Sequence, residues 1–194
     1  MKSFIFISIF QLFAVCGLFA ADAPKAVLQQ FLETYDGSLW DLQVAFTYSA
    51  GLYLDKLSKE DKESLLAEFK VKPQSGKNET MSKWFNGLYE VVEIKDEKIA
   101  DKYATVTAVL KEKKTGNKVS VEYKLVNTDD KWLIYANGNP GDDGKALQKE
   151  VLAIYEKMQS DYGISGVKEF IRRSVISKEN PATVMADLKK KKPN

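Results

Sequence analysis

The stretch Val119-Ser-Val-Glu-Tyr-Lys-Leu-Val126 constrains this chain more than any other. Val119, Val121, Tyr123 and Leu125 alternate with Ser120, Glu122 and Lys124, so a strand hides one set and wets the other. On one side stands Tyr103-Ala-Thr-Val-Thr-Ala-Val-Leu110, on the other Lys131-Trp-Leu-Ile-Tyr135. The links between them, Thr115-Gly116-Asn117 and Asn127-Thr-Asp-Asp130, are short and built from turn formers. Links of that kind make hairpins rather than parallel crossovers. A first strand from about Tyr89 to Lys95, turned by Ala100-Asp-Lys102, brings the expected count to about four.

Helical patterns lie on both sides of this sheet. Val27, Leu28, Phe31, Leu32 and Tyr35 share one helix face, with Pro24 near the start and Gly37 expected at the C-terminal cap. A second pattern begins at Ser38, carries Leu39, Leu42 and Phe46 with Trp40 beside them, and breaks near Ser49-Ala-Gly51. Ser58 opens a helix with acidic residues in its first turn and buries Leu65, Leu66 and Phe69. Residues 72–77 read as a loop, after which Asn78 caps a helix bearing Met81, Trp84, Phe85 and Leu88. Beyond Tyr135, Asn137-Gly-Asn-Pro-Gly-Asp-Asp-Gly144 is a loop by composition. A long helix follows with Leu147, Val151, Ile154, Tyr155, Met158 and Tyr162 on one face, ended by Gly163. Another stripe holds Val167, Phe170, Ile171 and Val175, and Asn180-Pro181 opens a last helix through Val184, Met185 and Leu188. The fold class is α+β: a curved antiparallel sheet wrapped by N-terminal helices into a cone, with additional C-terminal helices.

Residues 1–20 read as a signal peptide: Lys2, an apolar run from Phe4, and small residues at Ala20 and Ala21 before Asp22. A membrane anchor wants a longer run with a charged flank. A lipoprotein wants a small residue before Cys16, where Val15 stands. Residues 21–188 are then one domain, with 136–188 a helical extension and 189–194 a basic tail. Cleavage removes the one cysteine, so no disulfide is expected, which fits a bacterial periplasmic or secreted protein. Losing Lys2 lowers the formal charge from +2 to +1, and setting aside the four lysines of the tail leaves −3. Nothing in that balance marks a nucleic-acid groove.

The chain has no histidine. With Cys16 removed, histidine-based triads, imidazole or thiolate zinc sites and redox thiols are excluded, and no cofactor or metal is expected. Lys113-Lys-Thr-Gly116 is a hairpin turn, not a phosphate loop, and Asp142-Asp143 lacks the spaced oxygens of a calcium loop. Carboxylate chemistry survives: Asp36 or Asp41 with a tyrosine would make an acid–base pair. The aromatics are more numerous. Trp40, Phe46, Tyr53, Trp84, Tyr103, Tyr123 and Trp132 are the candidate ligand-binding residues, lining a cleft for an apolar molecule if loosely filled and forming plain core if tightly filled.

From Ala23 to Ala136 the order of elements, with Tyr103-Ala-Thr-Val-Thr, a Gly-Asn hairpin, Val121-Glu-Tyr-Lys-Leu-Val and Asp130-Lys-Trp-Leu-Ile, resembles the nuclear-transport-factor-2-like superfamily and its small exported bacterial domains. That resemblance implies a pocketed cone and no single activity. Trp132-Leu-Ile-Tyr135, the helix from Leu147 to Met158 and Gly163-Ile-Ser-Gly166 resemble the periplasmic phospholipid-shuttle (toluene-tolerance) family, which implies a lipid ligand. The expectation is an exported, non-catalytic binding protein for an apolar small molecule or lipid. Two alternatives stay open: a homodimerising or envelope-docking interaction module, and an acid–base enzyme using Asp36 or Asp41.

Overall fold

A computed structural model describes residues 23–70 and 77–191. The expected signal peptide, most of the loop at 72–77 and the end of the basic tail lie outside the described residues. Four strands, β1 (Tyr89–Ala100), β2 (Tyr103–Glu112), β3 (Lys118–Thr128) and β4 (Lys131–Gly138), form an antiparallel sheet in sequence order. Helices α1 (Pro24–Thr34), α2 (Leu42–Ser49), α3 (Gly51–Leu54), α4 (Lys59–Ala67) and α5 (Glu79–Leu88) precede it. After it come α6 (Lys145–Phe170), a π-helical turn at Ile171–Ile176 and α7 (Pro181–Lys190). The α+β class with a four-stranded antiparallel sheet between two sets of helices is therefore as expected.

Register follows the alternation of β3. Val119, Val121, Tyr123 and Leu125 stand opposite Leu110, Ala108, Val106 and Ala104. These eight make one apolar face, because opposite residues of an antiparallel pair point the same way. The turn from β3 to β4 uses Asp129 and Asp130, both at left-handed φ (51° and 59°). Two residues in that region match the strand twist, and aspartate tolerates the conformation better than most side chains. Register shifts at Val91/Glu93, Lys95/Lys98 and Lys124/Leu125 bend the sheet. Strand β1 runs to Ala100, past the expected Lys95, because Lys95-Asp-Glu-Lys98 is bulged, with Asp96 at φ 51°, and its alternation is lost there.

Helix starts match expectation closely. Ser58 Oγ accepts the Asp61 N–H, Asn78 Oδ1 the Met81 N–H and Asn180 Oδ1 the Ala182 N–H. Each satisfies an amide that the helix itself cannot. Three details differ. Helix α1 is capped by Tyr35 in the left-handed region (φ 50°), its N–H donating to the Phe31 carbonyl, and not by Gly37. Residues 38–41 are not helical throughout: after a short 3₁₀ turn at Gly37–Leu39, Trp40 bridges Ile134 and the Asp41 N–H donates to the Ile134 carbonyl at 2.9 Å. That docking covers part of the open edge of β4. At Gly163 (φ 68°, ψ 178°) the backbone leaves the helical region and α6 divides into two helices at a kink, as expected, but Leu147 and Ile154 of its apolar stripe face solvent. They lie seven residues apart along one edge of the apolar stripe, while Tyr155 and Met158 at its centre are buried.

The interior is in two parts. In the first, Val27, Leu28, Phe31 and Leu32 of α1 and Phe85 of α5 meet the apolar sheet face, with Trp132 and Ile134. In the second, Phe46, Tyr53, Leu54, Leu65 and Phe69 pack with Tyr155, Met158, Val167, Ile171, Val184 and Leu188. Residues 36–46 pass from one to the other: Leu39 and Trp40 pack on the first core, Leu42 and Phe46 in the second. The loop after β4 is tied to α2. Lys124 Nζ donates to the Tyr48 hydroxyl (2.9 Å) and to the Asp142 carbonyl (2.6 Å). Gly144 (φ 75°) lies so close that a Cβ there would fall 2.4 Å from the Tyr48 hydroxyl oxygen.

Two glycines test this latch. Gly116 and Gly144 both hold positive φ, so alanine costs roughly 1–2 kcal/mol at either. Only Gly144 also meets a side chain. Gly144→Ala is expected to lower the thermal midpoint clearly more than Gly116→Ala, and equal losses by calorimetry would show that the Tyr48 contact carries no weight.

Candidate functional site

Along β3 the apolar face is covered at one end and bare at the other. Leu125 and Tyr123 are buried, Val121 is half-buried, and Val119 is 45% exposed. Across from the bare end, α5 presents Met81 and Trp84, 40% and 55% exposed, while Phe85 turns inward. A groove of about 510 Å³ lies between them, a volume typical of small-molecule sites. Phe31 and Tyr35 of α1, Trp40, and Tyr89 at the start of β1 complete its walls.

Six of these rings are continuous. Phe31 contacts Tyr35 (4.9 Å between ring centres), Trp40 (5.7 Å) and Tyr123 (6.4 Å), and Phe85 contacts Tyr35 (5.0 Å) and Tyr89 (5.4 Å). Tilted and edge-on arrangements at these distances are attractive for aromatic quadrupoles. Tyr35 contributes a ring by holding its left-handed cap conformation, which costs a non-glycine residue about 1 kcal/mol. Burial raises the Tyr35 and Tyr123 phenols, Tyr123 to about 12 although Asn137 hydrogen-bonds it. Both stay neutral in any ordinary medium, so these walls offer apolar faces and hydroxyl groups rather than charge. Among the described residues no carboxylate lines the groove, and Lys178, arriving from the segment before α7, is its one cation.

Of the seven residues singled out from sequence, Trp40, Trp84 and Tyr123 meet in this groove. Trp132 is buried in the sheet core beside it. Phe46 and Tyr53 are in the helical core, where Tyr53 stacks on Tyr155 at 5.2 Å and donates its hydroxyl proton to Gln159 Oε1. Tyr103 is one position out of phase with Ala104, so it stands on the other sheet face against Tyr135. Phe31, Tyr35, Tyr89 and Lys178 line the groove without having been singled out, and Phe85 joins them from the apolar face of α5. Phe31 and Tyr35 carried a usable signal, since they are one turn apart on the apolar stripe of α1. Lys178 carried none.

Asp36 and Asp41 do structural work. Asp41 accepts the Val44 N–H at 2.9 Å and Asp36 the Ser38 N–H at 2.8 Å, each at a helical start, and neither lines the groove. A second hollow, about 610 Å³, lies on the other side of α1 against β1, with Glu33, Glu90, Glu93 and Lys113 in its lining. A third, about 440 Å³, lies between α6 and α7 beside Glu169 and Lys191. Neither has the aromatic continuity of the first.

Among comparisons with known proteins, a family model described as MlaC protein matches residues 20–136. No curated protein matches the chain. One solved structure that it resembles is a phospholipid-binding protein from Ralstonia solanacearum, determined in complex with a phospholipid. The two are 15% identical over 86% of this chain and 84% of that one, with a TM-score of 0.43.

Alkaline titration reads burial both in the groove, at Tyr123, and in the helical core, at Tyr53 and Tyr155. Tyr123, Tyr53 and Tyr155 all have phenols raised to about 12. A folded pKa above the unfolded value means that the stability it contributes is complete below pH 10 and is lost as pH climbs toward 12. Tyrosinate absorbance is expected to rise late for these groups and together with loss of near-ultraviolet circular dichroism. Ionisation of Tyr123 near pH 10 with the fold intact would show an open, hydrated groove.

Proposed function

The chain belongs to the MlaC protein family, and on that premise we propose that it is an exported, non-catalytic carrier holding the apolar part of a phospholipid in the aromatic groove. The observation that carries the reading is the groove itself, floored by contiguous neutral rings and rimmed by exposed Met81, Trp84 and Val119. Exposed apolar side chains grouped at the mouth of a cleft mark a place where something apolar docks. Each one fully covered is worth about 1.5–3 kcal/mol. Acyl chains satisfy such a surface because they ask for dispersion and exclusion of water and for no directed hydrogen bonds.

Periplasmic residence agrees with the same premise. Among the described residues no helix is long and apolar enough to cross a membrane, and a carrier between membranes must leave both. A non-catalytic role is supported by the capping duties of Asp36 and Asp41, which keep the two carboxylates proposed for acid–base chemistry away from the groove. An interaction module remains the second reading, favoured by the exposed stripe Met81, Trp84 and Leu88 on one face of α5.

Native mass spectrometry of the mature protein purified without detergent separates these readings. A discrete adduct of phospholipid mass is expected, extractable into organic solvent and largely lost in Trp84→Ala. Because Trp84 is more than half exposed, that substitution is expected to change stability by no more than about 0.5 kcal/mol. A bare dimer mass whose dissociation follows Trp84→Ala would replace the carrier with the interaction module.

A further inference from the structure

We propose that Lys178 binds the phosphate of the lipid headgroup, so that the groove selects phosphate-bearing lipids over uncharged ones with the same chains. This rests on the carrier reading and goes beyond it by naming the recognised group. Fifteen residues line the groove, and Lys178 is its sole charged member among the described residues. An unbalanced cation at the edge of an apolar cleft is complementary to an anion carried by an apolar molecule, because the low-dielectric wall limits screening on one side. Lys178 takes part in none of the ion pairs formed nearby. Those engage Arg173, Lys190 and Lys191 with Glu169, Glu179 and Asp187.

The position of Lys178 is held by its surroundings rather than by its own preference. Its backbone is left-handed, φ 56°, a conformation that persists in lysine where neighbouring structure imposes it. Both sides of the turn are fixed. Before it, the π-helical turn closes with the Ser177 N–H on the Arg172 carbonyl. After it, the Glu179 N–H donates to the Arg173 carbonyl at 2.9 Å, and the Glu179 carboxylate accepts from Arg173 Nε and Nη2 at 2.9 and 2.7 Å. Arg173 Nη2 also donates to Asp187 of α7 at 3.0 Å, and Asn180 caps that helix. A forked guanidinium on two carboxylates is a rigid fixture. It absorbs the local negative charge, and among the described residues no ion pair engages Lys178, which lines the groove. Lys178 also lies outside the 20–136 match, so the C-terminal extension supplies a charge that the matched part of the groove lacks.

The test loads the full mature chain from donor vesicles containing either phosphatidylglycerol or diacylglycerol of identical acyl composition. Three proteins are compared: the wild type, Lys178→Gln and Lys178→Arg. Wild type is expected to take up phosphatidylglycerol in preference to diacylglycerol. Lys178→Gln should weaken phosphatidylglycerol loading by roughly three- to tenfold, the range for one charge-assisted contact at a partly exposed site. Diacylglycerol loading should not change, and Lys178→Arg should restore the preference. Equal loading of both lipids by wild type and Lys178→Gln would overturn the headgroup assignment and leave the carrier standing. Loading of neither lipid by a folded protein would overturn the carrier, and this assignment with it. Inorganic phosphate that blocks loading in the wild type but not in Lys178→Gln would move the contact to a free anion and likewise overturn the lipid assignment.

Discussion

One constraint organises the molecule: the apolar face of the sheet is longer than the helices laid across it. Between Ala104 and Leu110 on β2, and between Leu125 and Val119 on β3, every second residue is apolar. Helix α1 and the residues around Trp40 cover the end near Leu125, where side chains are lost to solvent entirely. At the other end α5 turns in Phe85 and leaves Trp84 and Met81 outward. A chain selected only for stability closes such a gap, since each uncovered aliphatic residue forgoes free energy comparable to a tenth or more of total stability, at roughly 1.5 kcal/mol or more each. Leaving the gap open, and flooring it with rings instead of filling it, is what gives the chain a groove.

The two-part interior follows from the same economy of cover. Sheet and N-terminal helices make one core, and α2 to α4 with α6 and α7 make another. Residues 36–46 join them, with Trp40 pinned to β4 by backbone bonding and Phe46 inserted among Phe69 and Tyr155. Through this connection the helical extension is more than an appendage. It carries Lys178 to the groove and fixes it with the Arg173 network, whose guanidinium holds the Glu179 and Asp187 carboxyls below their ordinary range.

Local chemistry was legible where it is local in origin. The caps at Ser58, Asn78 and Asn180 and the hairpin links needed no tertiary information, because a side-chain oxygen two or three residues from an orphan amide decides each. Three of the departures have a common source. Tyr35 replaces Gly37 as the cap because its ring is wanted against Phe31 and Phe85. Trp40 leaves the helical pattern to bridge β4, and β1 continues through a bulge that destroys its own periodicity. In each, a long-range contact outweighed a local preference of about 1 kcal/mol. The family is instructive in another way. The shuttle resemblance rests on Trp132-Leu-Ile-Tyr135, which lies inside the matched residues 20–136, and on the helices after it, which lie outside them.

By itself the sequence determined the α+β class, the order and pairing of the strands, the starts of the helices, and the absence of histidine chemistry. These depend on period, on turn residues and on inventory, all of which are written along one dimension. Which aromatics meet was decided only in three dimensions. Trp40, Trp84 and Tyr123 converge while Phe46, Tyr53 and Tyr103 go elsewhere, because helix docking angles and a one-residue phase in β2 set what faces what. Lys178 is the extreme case. Its nearest groove partner in sequence is Asn137, about forty residues away, and only the folding of the C-terminal helices back onto the sheet gives that charge a place in the site.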